Sequence, residues 1–226
     1  MATAGKDKVG FMKQVFAEYP FPSWMFACAD ELQTRTSRWI CTGSVRVFLR
    51  FHRCNVGRHF VADGIPLIRM QRPGALFIGD AVTINTRPRS NMAGIMQKSI
   101  FQCIGTGKIR LEDGCGLSGV VLSARREIKI GKRTSVGVNT RIYDHDFHSL
   151  DPKHRIDRRI DNSKVRSDSV EIGDDVLIGA NVIVLKGVKI GEGTVVGAGS
   201  VVTAGEYPPR AIIAGNPARV VQTAES

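Results

Sequence analysis

The sequence has no run of about eighteen apolar residues, so nothing in it reads as a membrane-spanning helix. The start, Met1-Ala2-Thr3-Ala4-Gly5-Lys6-Asp7, lacks a charged stretch followed by an apolar core, and no export signal is expected from it. Cysteine is sparse: Cys28, Cys41, Cys54, Cys103 and Cys115 are an odd number without metal-ligand spacing. They are expected to be reduced thiols of a cytoplasmic protein, with no metal required. No helix-turn-helix, finger or RNA-binding signature is present, so a nucleic-acid partner is not expected. The net charge of +11 then has four other readings. It can attract an anionic cofactor, an acidic substrate or an anionic membrane surface, or it can simply keep the surface soluble.

What the chain does have is a six-residue beat. Ile172, Ile178, Val184, Ile190, Val196 and Val202 are aliphatic and evenly spaced, and Gly173, Gly179, Gly191 and Gly197 follow four of them. Two residues before each stands a small or β-branched side chain: Val170, Val176, Val182, Val188, Thr194 and Ser200. A period of six matches neither a helix nor an alternating strand. It matches a chain that turns a corner every six residues and stacks on itself, an all-β parallel β-helix of hexapeptide repeats. The aliphatic residue is expected inside, stacked on its equivalent one coil away. The following glycines, together with Asn181 and Gly193 at corners, are expected to supply backbone angles that other residues resist. Periodicity does not give the hand of the coil.

Residues 1–60 differ from the rest and form an expected, partly helical N-terminal cap, with the β-helix over 61–226. Asp30 is a candidate helix cap before Glu31-Leu32-Gln33-Thr34-Arg35. Arg46, Arg50 and Arg53 fall at helical spacing against Val45, Phe48, Leu49 and Phe51. This basic amphipathic stretch, residues 44–58, suits packing on the end of the solenoid or peripheral contact with an anionic membrane. The repeat is read from Pro66-Leu67-Ile68 onward and ends before Tyr207-Pro208-Pro209. Two excursions interrupt it, at 85–108 and at 144–168. The second is polar and basic, and a long loop in a tight repeat is more often functional than not.

The segment Val170–Val182, the run Gly191–Thr203 and the ending Ala214-Gly215-Asn216-Pro217-Ala218-Arg219-Val220 resemble the last coils of the hexapeptide-repeat acyltransferases. Asp144-His145-Asp146-Phe147-His148-Ser149-Leu150-Asp151-Pro152 resembles the histidine-bearing loop of that family's sugar O-acetyltransferase branch, which includes the maltose, galactoside and surface-polysaccharide enzymes. The resemblance implies a left-handed β-helix, assembled as a homotrimer, with acetyl-CoA in the groove between protomers. It implies a cytoplasmic acetyltransferase of polysaccharide biosynthesis, at the inner face of the membrane if residues 44–58 bind there. The acceptor would be a sugar or glycan-precursor hydroxyl. Ala180 and Ala198 match positions whose backbone meets the pantetheine arm, Thr203 a cofactor-contacting threonine, and Arg219 a basic residue near the nucleotide phosphates. Ala204 stands where several relatives have lysine; Lys186 or Arg210 is the candidate replacement. Ser118 matches a polar acceptor-side position, and local corner hydrogen bonds would equally account for it.

Transfer from a thioester to a hydroxyl needs a base, and a histidine with an ordinary pKa near 6.5 is largely neutral at pH 7. Counting back from Leu150-Asp151-Pro152 places His148 at the family's catalytic imidazole; counting forward from Ile142 brings in His145. His148 is preferred, with Asp144, Asp146 or Asp151 as candidates to hold its other nitrogen. Direct transfer needs no cysteine nucleophile, and Cys103 and Cys115 are read as small core residues. Three other readings remain: N-acylation of an amino sugar, a zinc site drawn from His145, His148 and His154, and a non-catalytic β-helix scaffold.

Overall fold

The computed structural model describes residues 23–223, except for the side chain of Trp24. Expectations for residues 1–22, the start of the chain among them, lie outside the described residues. The chain divides into two units, Met1–Ile40 and Cys41–Ser226. One helix, α1 (Ser23–Phe51), is continuous through the division. Asp30 is inside it rather than at its cap, because helical propensity holds from Ser23 on with no proline to stop it.

The second unit is a three-sided coil of parallel strands. The first coil comprises β1 (Asn55–Val56), β2 (Val61–Asp63) and β3 (Leu67–Met70). The repeat therefore starts one strand pair earlier than Pro66, where His59 and Arg53 hide the pattern by taking positive φ at turns. The second coil is β4 (Leu76–Ile78), β5 (Thr83–Asn85) and β6 (Ile100–Cys103), and the third is β7 (Lys108–Leu111), β8 (Gly116–Ser118) and β9 (Val121–Ala124). The fourth is β10 (Glu127–Ile130), β11 (Ser135–Val136) and β12 (Arg141–Tyr143). After the second excursion come β13 (Val170–Ile172), β14 (Leu177–Ile178) and β15 (Ile183–Val184), then β16 (Val188–Ile190), β17 (Val195–Val196) and β18 (Val201–Val202). A last turn, β19 (Gly205–Tyr207), β20 (Ala211–Gly215) and β21 (Ala218–Thr223), closes the stack.

Among the described residues every third strand pairs in parallel, giving three sheets, and of the strands named only β20 and β21 pair antiparallel. The β1 sheet and the β2 sheet are two walls, and β3-β6-β9-β12-β15-β18 is the third. Register stacks like on like: Ile130 on Ile172 on Ile190, Val136 on Ile178 on Val196, Ile142 on Val184 on Val202. All of these are buried. Each Ile or Val buried this way contributes about 1.5–3 kcal/mol. The positions two residues earlier, Val170 to Ser200 on the beat, are buried too. Thr194 Oγ1 donates to Pro208 O at 2.8 Å and Ser200 Oγ to Gly197 O at 2.6 Å, so their hydroxyls are satisfied at the corners.

Asn181 and Gly193 do take positive φ, 58° and 67°, as expected of corners. The glycines that follow the aliphatic beat do not. Gly191 is there for closeness: a Cβ at that position would lie 2.4 Å from Pro209 N of the next coil. Val45 and Leu49, at the C-terminal end of α1, are buried in the core, while Arg46 donates to Gly57 O at 2.9 Å. Val47 and Phe51 of the same turns stay exposed. Among the described residues no helix is long and apolar enough to cross a membrane.

Candidate active site

The excursion between β12 and β13 is tied down at its base. Asp144 is fully buried, and its carboxylate accepts N–H bonds from Arg125 and Arg126, both at 2.7 Å, and faces His145 Nδ1 at 2.9 Å. Asp168 N donates to Asp144 O at 2.8 Å and Asp146 N to Arg166 O at 2.9 Å, so the two ends leave the coil side by side. Lys186 reaches from the fifth coil to Asp146 at 2.5 Å. Lys186 is thus an ion-pair partner of the excursion. Further out, Asp157 caps a short helix, α2 (Arg158–Ser163), accepting from Arg159 N and Ile160 N.

The two histidines are placed differently. His145 is buried against Asp144, with its side chain 1% exposed and its Nε2 without a partner. Phe147 leans on its ring, 4.8 Å between centroids. His148 is 70% exposed, and its Nδ1 lies 2.7 Å from Asp161 Oδ2. The other Asp161 oxygen accepts Ser149 N at 2.6 Å. The His148 bond first, and the Ser149 N–H second, hold the Asp161 carboxyl below the usual carboxylate range. A carboxylate only accepts, so Nδ1 of His148 is the donor in this bond, and in the neutral ring Nε2 is left as an acceptor. The partner of His148 is none of Asp144, Asp146 and Asp151, but Asp161, thirteen residues on.

His148 lines a cavity of about 1000 Å³. One wall is the outer face of the third sheet, where Arg69 of β3 and Gln102 of β6 are register partners. The opposite wall is the excursion, through Phe147, Arg158, Arg159 and Asp161. Arg125, just past β9, joins the two by bonding the side chain of Asn162 and, at 3.2 Å, its carbonyl. Cys103 also lines the cavity, but its thiol is buried, and burial first pushes it up to about 12. Cys115 is raised likewise, to about 12.

The other sequence-derived candidates do not line this cavity. Ala180 and Ala198 occupy the same corner one coil apart, and Ala180 O accepts Gly199 N at 2.8 Å. Thr203 O accepts from Tyr207 Oη at 3.1 Å, and Arg219 is exposed on β21. Ser118 is buried, its Oγ 3.1 Å from both Asn85 Nδ2 and Asn91 Nδ2. His154 meets Ser149 Oγ at 3.0 Å, so His145, His148 and His154 each turn to a separate partner. Sequence reasoning had Arg158 and Arg159 only as part of a basic loop, and it missed Asp161, Arg69 and Arg125. The Asp157 cap is the visible trace of the helix that carries Arg158, Arg159 and Asp161.

Residues 169–204 match the family described as bacterial transferase hexapeptide (six repeats). No curated protein matches the chain. A hexapeptide-repeat-containing acetyltransferase from Vibrio cholerae O1 biovar eltor, complexed with acetyl coenzyme A, is 24% identical over 81% of this chain and 78% of its own, with a TM-score of 0.54. AntD, an N-acyltransferase from Bacillus cereus in complex with dTDP and 3-hydroxybutyryl-CoA, is 22% identical over 80% of this chain and 88% of its own, TM-score 0.61. The fold is shared with these enzymes. A variant of AntD holding dTDP-4-amino-4,6-dideoxyglucose and coenzyme A is similar at TM-score 0.63, with 21% identity over 80% of this chain and 89% of its own.

Proposed function

We propose that the protein moves an acetyl group from acetyl-CoA to a hydroxyl of a sugar or polysaccharide precursor, with His148 as general base. The observation that carries this reading is the His148–Asp161 pair on the wall of the large cavity. In the step, His148 Nε2 takes the hydroxyl proton as the oxygen attacks the thioester carbonyl. Asp161 stabilises the imidazolium through Nδ1. The tetrahedral intermediate then expels the CoA thiolate, which recovers the proton from Nε2, so the base is regenerated and an ester and free CoA leave. No residue is acylated. The hexapeptide match and the shared fold support the coil. In this reading it is left-handed and trimeric, with Ala180, Ala198, Thr203 and Arg219 along a coenzyme groove between protomers and Ser118 on the acceptor side.

The AntD likeness favours a second reading, transfer to the amine of an amino sugar. One assay decides between them. CoA thiol release from acetyl-CoA is followed over a panel of hydroxyl and amino sugar acceptors, and the product is treated with neutral hydroxylamine. A hydroxylamine-labile product identifies the ester; a stable one identifies the amide. Absence of thiol release with every acceptor, and of acetyl-CoA binding, would remove both in favour of a scaffold.

A further inference from the structure

Elsewhere on the coil, several basic side chains are matched by acids. Arg58 pairs with Asp80 at 2.9 Å, Lys129 with Glu171 at 3.1 Å, Arg133 with Asp175 at 2.5 Å and Lys189 with Glu206 at 2.7 Å. The cavity beside His148 breaks that habit. Arg69, Arg125, Arg158 and Arg159 converge on it, and Asp161 is the one carboxylate in its lining. Asp161 is already engaged by His148 and Ser149. Among the described residues no carboxylate pairs with Arg69, Arg158 or Arg159. Arg125 is committed to Asn162 through its terminal nitrogens, and its Nε is buried with no partner. Four guanidiniums around one space repel one another unless an anion joins them.

We propose that these arginines bind an oxyanionic group, phosphate or carboxylate, carried by the acceptor. The proposal rests on the transfer reading above and narrows its acceptor to an anionic glycan precursor. Guanidinium forks suit the oxygens of phosphate or carboxylate, which they grip in bidentate fashion. They stand on fixed elements: β3, the end of β9, and the capped first turn of α2. Phe147, held edge-on by Tyr143 at 5.0 Å, and Gln102 give the same cavity an uncharged side on which a sugar ring can lie. The phosphates of a coenzyme whose thioester is at His148 are a full pantetheine arm away. A group within the same cavity as His148 is therefore the acceptor's own.

The test is calorimetry on the full chain with two probes, inorganic pyrophosphate and acetyl-CoA. The wild type should bind pyrophosphate with or without saturating acetyl-CoA. Arg69→Gln, and Arg158→Gln together with Arg159→Gln, should each weaken pyrophosphate by about tenfold or more, as expected for lost bonds to a charged group. Lys108→Gln with Lys129→Gln, which removes charge from another sheet, should change it by no more than about twofold. Acetyl-CoA affinity should hold in all variants. No pyrophosphate binding, or equal loss in the control, overturns the proposal. Displacement of pyrophosphate by acetyl-CoA, or parallel loss of acetyl-CoA affinity, overturns it in favour of the coenzyme's phosphates. A wild type that binds pyrophosphate alone, and no acetyl-CoA, overturns the transfer reading instead, and the acceptor assignment goes with it.

Discussion

At His148 the ring is gripped from behind and open in front. Asp161 holds Nδ1, and the Ser149 N–H holds Asp161. Asp161→Asn keeps the size and removes the charge that stabilises the imidazolium. It should lower kcat by about 10–100-fold with little change in KM for acetyl-CoA, less than the about 10²–10⁴-fold of full general-base assistance because the imidazole itself remains. Because Asp161 titrates below its ordinary value of 3.8, its contribution is complete above that value and fades as pH falls through the lower folded one. The step in the Ser149 amide shift that reports protonation of Asp161, followed by NMR, should therefore come only below 3.8. Cys103 and Cys115, both with thiols near 12, should resist iodoacetamide at pH 8 in the native protein, read by mass spectrometry of the alkylated peptides. Labelling of Cys103 under those conditions would show that the cavity wall opens. The two histidines were legible in the sequence because a short motif carries them. Their difference was not, since burial of His145 depends on Asp144 receiving N–H bonds from β9's end, which no local spacing announces. Asp161 was hidden for the same reason: its bond to His148 spans thirteen residues.

At the scale of elements, the hexapeptide works through two kinds of glycine. Gly193 turns a corner at φ 67°, and Gly191 lets the next coil come within contact. Gly191→Ala should cost about 1–3 kcal/mol in urea unfolding, the usual range for overpacking, because its new methyl meets the Pro209 backbone rather than a movable side chain. Unchanged stability would mean the last turn is not packed as described. The period of six was plain to read because each turn repeats the same contact. The reason for the second glycine was not, because closeness between coils is a property of the stack. The excursion was legible as an interruption, while its closure was not. It depends on a buried carboxylate and on the 2.5 Å bridge from Lys186 in the following coil. The candidate cap at Asp30 and the amphipathic stretch from residue 44 fall in one helix; Gly43 between them weakens it without breaking it, and one continuous element results.

For the whole molecule, three parallel sheets make a rigid prism and the excursion places an imidazole against one of its faces. The apolar stack tolerates no unpaired charge. Ile178→Asp puts a carboxylate at a fully buried position between Val136 and Val196 and should cost more than about 4 kcal/mol, enough to prevent soluble expression or to shift the urea midpoint sharply. The architecture could be read from the repeat alone, but the distribution of the +11 charge could not. Pairing along the first sheet and the corner after it, and convergence at one cavity, become visible only once the coils are stacked. The central claim is that His148 does the proton transfer. Its most direct test is the kcat of His148→Ala for CoA release, measured beside calorimetric binding of acetyl-CoA. A fall of about 10²–10⁴-fold with binding intact is predicted. Turnover within a few-fold of the wild type would contradict it.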